Sequence, residues 1–225
     1  MNLAQLQSPA STSTSRSGIF SRIALSVLGM AERPVALLAL ISLSPILIVA
    51  GTTVLILSGR SPLLAHRRVG RNGRKFWLFK FRTMWHGAAN HRSATFIEFV
   101  QQEPVNGRKP THDPRVTSRF AAFLRKHSID ELPQLANVVI GEMSLVGPRP
   151  LTQGELTEHY GVDKVEVLSV KPGITGLWQT MGRSRLTYRQ RLRLDLFLAR
   201  RHSIGLYLRV LARTIPRVLS GIDAW

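Results

Sequence analysis

Two short segments carry residue types that could do phosphate chemistry. The first, Ser128 to Leu135 (SIDELPQL), places Asp130 and Glu131 side by side ahead of a proline. The second, MSLVGPRP, ends with Arg149 between two prolines. Carboxylates bind hard cations and act as nucleophiles, and a guanidinium binds phosphate. The combination is typical of phosphoryl transfer, in a chain where acidic residues number 13 against 31 basic ones.

A purely structural role for the acidic pair stays open. Ser128 and Glu131 match the S-x-x-E capping box, in which the glutamate reaches back to the backbone at the start of a helix. The helix dipole also favours acidic residues in a first turn. Alternatively, the two carboxylates have different catalytic roles, and one attacks phosphorus while the other binds Mg²⁺. Either way, the pattern predicts a helix from Ser128 towards Val139 or Ile140, ended by Gly141.

Candidate phosphate-binding cations accompany this pair. Lys80 and Arg82 alternate with phenylalanines, so a strand would place both charges on one face. Arg125 precedes Asp130 by five residues and reaches the same pocket if the turn folds it back. Arg149 lies between prolines that restrict its backbone, which would aim its guanidinium in advance.

The overall charge favours an anionic partner. The formal net charge is +18, which suits nucleic acid, an anionic lipid surface or a phosphorylated small molecule. A nucleic-acid-binding protein would carry a recognition module or interleaved aromatic and basic residues, and the sequence contains neither. The chain has no cysteine, which excludes disulfides and thiolate metal sites. Four histidines lack metal-ligand spacing and are expected at the surface: His86, His91, His112 and His127.

The strongest physical feature is an apolar run of 23 uncharged residues, Val35 to Leu57. It is long enough to cross the roughly 30 Å hydrocarbon layer as a helix. However, Ser44-Pro45 lies at its centre, where proline removes a helix hydrogen bond, and arginines flank both of its ends. A re-entrant helix broken at Ser44-Pro45 would explain both the central proline and the arginines at the two ends. A kinked helix that crosses the membrane is the alternative. A buried helix of a soluble protein fits the length less well.

The remaining patterns predict an α+β fold dominated by helices. Residues 1–18 are Ser/Thr-rich and are expected to form a disordered leader. Asn72-Gly73 predicts a hairpin turn between two strands. The other expectations are an irregular loop with one short helix over 86–112, a helix from Asp113, a glycine-rich loop over 171–183, and one or two basic helices over 187–219.

Several motifs together resemble a known family. KFRTM, DPRVTSR, SIDELPQLANVVIGEMSLVGPRP and KPGITGLWQTMGR follow, in this order, a hydrophobic segment with Ser-Pro at its centre. This pattern resembles the bacterial sugar transferases, the small monotopic polyprenyl-phosphate phosphoglycosyl transferases that include the enzymes starting exopolysaccharide synthesis. The resemblance covers about residues 30 to 215.

The resemblance implies a mechanism and a location. Asp130 would attack the β-phosphate of a UDP-sugar and release UMP, and undecaprenyl phosphate would then accept the sugar phosphate. Glu131 would hold Mg²⁺, and the phosphate site would be lined by Lys80, Arg82, Arg125, Arg149 and Arg183. The family also implies a re-entrant membrane region over 19–58 and a catalytic domain over 59–225. This domain would lie on the cytoplasmic face of the bacterial inner membrane, with basic helices on anionic lipids.

Some positions depart from the family pattern. His66 stands where many members have glutamine, and an expected aspartate is replaced within ERPVAL. Near the C-terminus, Asp195 fits the usual pattern, but the segment SIGLYLRVLART lacks the acidic residue that often follows. The resemblance favours glucose or galactose as the sugar. A catalytically inactive scaffold for polysaccharide assembly is the remaining rival, and a homo-oligomer stays open.

Overall fold

The computed structural model describes residues 16–85, 95–101, 116, 118–182, 186–201 and 203–221. Within these residues, the helices surround two small sheets, which confirms the predicted α+β class dominated by helices. The helices are α1 Arg16–Ser42, α2 Ser44–Ser58, α3 Arg119–Lys126, α4 Leu135–Ile140, α5 Gln153–Glu155, α6 Lys164–Val167, α7 Leu177–Met181, α8 Tyr188–Arg200 and α9 Ile204–Ser220. The strands are β1 Leu63–Val69, β2 Lys75–Phe81, β3 Ile97–Val100, β4 Ser144–Val146 and β5 Gly173–Thr175.

The apolar run forms two helices that meet at a bend of 60°. Among the described residues, no single helix is long and apolar enough to cross a membrane, whereas the bent pair α1–α2 meets this test by length and composition. Pro45 has no N–H for the carbonyl of Ile41, and the Ser44 hydroxyl donates to that carbonyl instead, at 2.7 Å. The break lies at Leu43, one residue before the predicted Ser44-Pro45.

Both arms of this bent pair pack on the same domain. Ala36 of α1 is buried with residues of β2 and α4. Ala50 and Val54 of α2 are buried with the end of β2 and with α3. The outward faces of both arms are apolar and exposed, with more than half of each of these side chains accessible: Val35, Leu38, Ile41, Ile48, Val49 and Ile56. Such a continuous apolar surface is typical of a membrane or protein interface.

A buried carboxylate ties α1 to the C-terminal helix. Glu32 is 5% exposed and accepts three hydrogen bonds on Oε1, from the Tyr207 hydroxyl at 2.6 Å, the Ser144 hydroxyl at 2.5 Å and the Leu145 N–H at 3.1 Å. Burial and this carboxylate raise the pKa of Tyr207. Glu32 lies in ERPVAL and Tyr207 in SIGLYLRVLART, so this hydrogen bond joins the two segments.

The first sheet contains the predicted hairpin and one unpredicted strand. β1 and β2 are antiparallel, and Asn72 and Gly73 both have positive φ, 56° and 77°, as a type I′ turn requires. β3 pairs in parallel with β1, so the interpretation of residues 86–112 as a loop with a short helix was wrong for Ile97–Val100. The other residues of that segment lie outside the described residues, apart from its neighbours at 95, 96 and 101.

The second sheet pairs β4 with β5 in parallel and leads directly into the GPRP segment. The Gly147 N–H donates to Thr175 O at 2.9 Å, and the Gly173 N–H donates to Pro148 O at 2.8 Å. The predicted glycine-rich loop over 171–183 therefore contains a strand and a helix, β5 and α7. Its glycines serve close backbone contact, because a Cβ at Gly173 would overlap the backbone nitrogen of Gly147.

Gly173→Ala is expected to lower the free energy of unfolding by about 3 kcal/mol, since the added carbon meets rigid backbone. Gly205→Ala is the control, because a Cβ there meets nothing within 4 Å and alanine favours the helix. Urea unfolding followed by circular dichroism in detergent measures both. Equal midpoints for the two variants would contradict the close-contact explanation.

Other expectations are partly confirmed. The helix predicted from Asp113 begins at Arg119, where the Ser118 hydroxyl accepts the Phe120 N–H at 3.2 Å. Residues 187–219 form two helices, α8 and α9, within the predicted alternatives. Residues 1–15 of the expected leader lie outside the described residues, and its last three residues belong to α1.

Candidate active site

The acidic pair lies in a 3₁₀ helix, Ile129–Gln134, which joins α3 to α4. The α-helix predicted from Ser128 starts only at Leu135, although it ends at Gly141 as expected, with φ of 92°. The capping-box interpretation was wrong: Ser128 has a left-handed backbone, φ 54° and ψ 22°, and its side chain makes no capping hydrogen bond. A capping residue has extended backbone angles. The structure thus removes this purely structural explanation for Glu131.

Ser128 is also a local strain point. Among the described residues, it and Asn72 are the two non-glycine residues with positive φ, and only Asn72 serves a hairpin turn. A non-glycine residue in this region costs about 1 kcal/mol or more, and such strain clusters at functional sites. The Ser128 N–H donates to Arg125 O at 3.1 Å, which closes a tight turn after α3. α3 and the 3₁₀ helix are therefore in contact across this turn.

β2 lies against the 3₁₀ helix. Asn137 of α4 fixes this contact: its side chain donates to Trp77 O at 2.6 Å and accepts the Phe79 N–H at 3.2 Å. Lys80 lies half-buried near the end of β2. Asn137 has no exposed surface and was not singled out by its sequence pattern.

Arg82 follows β2 and is engaged within the protein. It is 5% exposed, its Nε donates to Ser61 O at 2.9 Å, and its guanidinium forms an ion pair with Glu98 of β3. Arg82 thereby attaches β3 to the sheet. To bind a substrate phosphate as predicted, its guanidinium would have to leave Glu98.

Arg149 connects the acidic pair to a second charged cluster. Its guanidinium lies 5.4 Å from the centre of the Trp178 ring. Burial opposes its charge, but the nearby carboxylates of Glu155 and Glu131 outweigh burial, so the pKa of Arg149 is raised. Two predicted site residues, Glu131 and Arg149, therefore interact electrostatically.

Two further arginines complete this cluster. Arg191 lies 5.1 Å from the Trp178 ring centre, and burial together with Arg149 lowers its pKa. Arg68 Nη1 lies 4.0 Å from Glu155 Oε2. Burial disfavours charge on Glu155, but Arg149 and the Thr152 N–H hold its pKa below the usual value. Glu155 thus interacts with all three guanidinium groups, and clustered guanidinium groups of this kind are suited to binding phosphate.

The buried carboxyl group of Asp195 contacts the backbone of Arg149. It is 1% exposed, accepts the Tyr160 hydroxyl on Oδ2 at 3.0 Å and faces the backbone N–H of Arg149. Burial raises its pKa to about 7, although Tyr160 and the arginines favour the charged form. Burial, followed by the charge of Asp195, also raises the pKa of Tyr160. The carboxyl group thus titrates near neutral pH.

Asp195→Asn is expected to change how stability depends on pH. The folded pKa lies above the unfolded value, so the native state binds more protons, and the wild type loses stability as pH rises from about 4 to about 7. The limiting slope is about 1.4 kcal/mol per pH unit. Asp195→Asn lacks this slope, so its free energy of unfolding increases relative to that of the wild type as the pH rises to about 7. Urea unfolding of both proteins between pH 4.5 and 8 measures it, and parallel profiles would contradict the raised pKa.

Sequence reasoning missed most of this second cluster. Thr152 and Glu155 form a capping box, and their T-x-x-E spacing in the sequence is the signal that indicates it. Asp195 stands alone in a basic helix, which is a second available signal. No local pattern indicates that Arg68, Tyr160 and Arg191 meet, because each comes from a distant segment.

Some predicted residues cannot be placed in the site. Arg183, His86, His91 and His112 lie outside the described residues. His127 is half-buried rather than at the surface, and its Nδ1 lies 3.1 Å from Val218 O. Among the described residues, no three His, Asp or Glu side chains are grouped to hold a metal. Glu131 fits Mg²⁺ as part of a shared donor set, because Mg²⁺ commonly takes one or two carboxylates together with substrate phosphates and water.

The chain is similar to proteins of known families. The profile of the bacterial sugar transferases matches residues 26–221. Exopolysaccharide production protein ExoY of Sinorhizobium fredii is 40% identical over 190 residues, 82% of this chain and 81% of that protein. The undecaprenyl-phosphate galactose phosphotransferase of Salmonella typhimurium is 38% identical over 167 residues, 72% of this chain and 34% of that protein. The UDP-glucose:undecaprenyl-phosphate glucose-1-phosphate transferase of Xanthomonas campestris is 35% identical over 209 residues, 86% of this chain and 39% of that protein.

The matched region contains the bent helix pair from Val27 onward, the 3₁₀ helix with its acidic pair and the arginine cluster. The chain spans four fifths of the ExoY protein and just over a third of the other two relatives. The resemblance drawn from the motifs is thus confirmed over nearly the whole chain. The chain belongs to the bacterial sugar transferase family of enzymes.

Proposed function

We propose that this protein transfers a hexose 1-phosphate from a UDP-sugar to undecaprenyl phosphate, as the first membrane step of exopolysaccharide synthesis. The names of its relatives supply the reaction class, since they describe exopolysaccharide production and undecaprenyl-phosphate sugar phosphotransfer. The observation that carries the proposal is the electrostatic interaction of the Glu131 carboxylate with the Arg149 guanidinium, which adds to that of Glu155. It joins a pair of acidic residues to a cluster of guanidinium groups, as phosphoryl transfer requires.

The proposed reaction has two displacements at one phosphorus. An Asp130 oxygen attacks the β-phosphorus of the UDP-sugar, the bond from that phosphorus to the bridging oxygen breaks, and UMP leaves with the bond electrons. An oxygen of undecaprenyl phosphate then attacks the same phosphorus and frees the Asp130 carboxylate. The product is a lipid diphosphate sugar. Covalent catalysis of this kind lets two substrates react in sequence at one site.

The surrounding residues bind and orient the phosphates. Glu131 would hold Mg²⁺, which neutralises charge on the phosphate oxygens when bound. The Arg149 guanidinium is fixed by Glu155 and by Trp178, and we assign it to the non-bridging oxygens of the transferred phosphate. Lys80 and Arg125 flank the 3₁₀ helix on the neighbouring elements and are assigned to the same oxygens. Arg183 remains a candidate from the sequence alone.

The bent pair supports a monotopic arrangement on the cytoplasmic face of the bacterial inner membrane. A crossing helix would carry one end away from the catalytic domain. Here Glu32 and Ala36 of α1, and Val54 and Ser58 of α2, are all at most 5% exposed. The exposed apolar surface lies between these contacts, around the bend. The flanking arginines also favour the cytoplasmic side at both ends.

A donor panel tests the proposed function. Detergent-solubilised protein is mixed with Mg²⁺, undecaprenyl phosphate and each of several UDP-sugars, and both UMP and the lipid product are measured. We expect UMP and lipid-linked sugar in equal amounts with UDP-glucose or UDP-galactose. Chelation by EDTA is expected to abolish both, and added Mg²⁺ to restore them. No product with any sugar would favour the inactive scaffold instead.

A further inference from the structure

A second cationic cavity lies apart from the acidic pair. It measures about 560 Å³, is open to solvent on one side, and is lined by residues of α1, the hairpin tip between β1 and β2, β4, the segment after α6, and α9. Its volume is in the range of sites for small ligands. None of Asp130, Glu131 and Arg149 lines it. The cavity is therefore distinct from the candidate active site.

Among the described residues, Arg33, Arg71 and Lys171 are the cationic side chains that line this cavity, and Glu32 is the acidic one. The Oε1 atom of Glu32 is occupied by its three hydrogen-bond donors. Burial lowers the pKa of Lys171, and Arg33 and Arg71 lower it further, whereas Glu32 raises it. The crowding of like charges shows an excess of positive charge that an anion would relieve.

One of these cations, Arg71, is held in place. The Arg71 Nε donates to Ser169 O at 3.1 Å, and the neighbouring Asn72 N–H donates to Leu168 O at 2.8 Å, so the hairpin tip is attached to the segment after α6. The Arg33 guanidinium lies against Gly141, where any Cβ would overlap it. Cations that are already oriented lose less conformational entropy when they bind a ligand.

The cavity borders the apolar surface of α1. Leu28 and Met30 line it, and Met30 is 74% exposed. The exposed apolar positions Val35 and Leu38 follow on the same helix. A ligand with a phosphate group and acyl chains could place the phosphate among the cations and the chains along α1.

We propose that Arg33, Arg71 and Lys171 form a phosphate-binding site for the headgroup of an anionic phospholipid, separate from the site of sugar transfer. The phosphate oxygens accept hydrogen bonds from the three cations, and the rest of the headgroup occupies the remaining volume. The same chemistry would serve a soluble phosphate, so the test includes both sources. The inference does not depend on the proposed reaction.

Calorimetric titration of the purified full-length protein in non-ionic detergent tests the site. The probes are dihexanoyl phosphatidylglycerol, the zwitterionic dihexanoyl phosphatidylcholine and inorganic phosphate. We expect phosphatidylglycerol to bind, and Lys171→Gln and Arg71→Gln each to weaken it about tenfold, because each removes a charge-assisted hydrogen bond. Lys171→Arg is expected to keep binding close to that of the wild type. Lys164→Gln is the matched control, since it makes the same change at an exposed position outside the cavity.

The outcomes separate the alternatives. Stronger binding of phosphatidylglycerol than of either other probe, lost in Lys171→Gln and kept in Lys164→Gln, supports the lipid site. Inorganic phosphate bound as tightly, with the same loss, supports the phosphate site but assigns it to a soluble ligand. Unchanged phosphatidylglycerol binding in Lys171→Gln and Arg71→Gln, or equal binding of phosphatidylcholine, overturns the proposal. UMP release by Lys171→Gln, measured without phosphatidylglycerol, is expected to equal that of the wild type. A failed transferase assay would therefore not bear on this site.

Discussion

Asp130→Asn is expected to abolish UMP release, with a fall in kcat of about 10³-fold or more. The amide that replaces the carboxylate is a poor nucleophile and carries no charge, while its size and shape are almost unchanged. In the wild type, a UDP-sugar without lipid acceptor should release up to one UMP per protein molecule and raise the protein mass by one sugar phosphate. Asp130→Asn should do neither. Quenched-flow UMP assays and intact-protein mass spectrometry measure the two effects.

Asp163→Asn is the matched control for this change. Asp163 ends a short helical turn, Gly161–Asp163, away from the acidic pair, so the same substitution there should leave UMP release intact. Turnover that persists in Asp130→Asn would refute Asp130 as the nucleophile. Full turnover without a burst or a mass change in the wild type would instead favour direct transfer between the two substrates.

Arg149→Ala is expected to have the second-largest effect, on both stability and activity. It leaves the buried Glu155 without its main cation, and we expect a loss of about 3 kcal/mol in the free energy of unfolding. This loss is at the lower end of the range for a broken buried ion pair. UMP release should fall about 10²-fold or more, since the phosphate loses a fixed guanidinium. Urea midpoints and UMP assays measure the two losses.

Two further variants make this prediction specific. Arg149→Lys retains the charge near Glu155 but not the planar fork, so it should recover stability more than activity. Arg189→Ala removes an exposed arginine of α8 and should change the free energy of unfolding by less than about 0.5 kcal/mol. If Arg149→Lys matched the wild type in UMP release, bidentate phosphate binding by Arg149 would be excluded.

The sequence predicted those elements whose cause is local. Asn72-Gly73 specifies its hairpin because both residues accept positive φ, and Pro45 interrupts the apolar helix because it lacks an N–H. β3 and β5 were missed, since each is short and forms only by pairing with a strand far along the chain. Propensity within a segment does not report such pairings.

The same distinction applies to the candidate site: residues with a local sequence pattern were predicted, and contacts between distant segments were not. Asp130, Glu131 and Arg149 were predicted from residue type and spacing, and in the structure Glu131 acts electrostatically on Arg149. Ser128 was read as a helix cap because its spacing fits one, but the tight turn from Arg125 puts it in the left-handed region, where capping geometry is lost. Asp195 was noticed only as a pattern match. Its contact with Tyr160 joins residues 35 positions apart, which spacing alone does not predict.

The 60° bend determines how the proposed monotopic arrangement would stress a bilayer. At 1.5 Å per residue, the 15-residue α2 is about 22 Å long. If the bend is shared equally between the arms, its apex at Leu43 lies about 11 Å below their ends, less than the roughly 15 Å of one hydrocarbon leaflet. The protein would then act as a wedge that expands the cytoplasmic monolayer alone. Its insertion would be easiest where that monolayer is convex or loosely packed, so membrane curvature would influence where polymer synthesis begins.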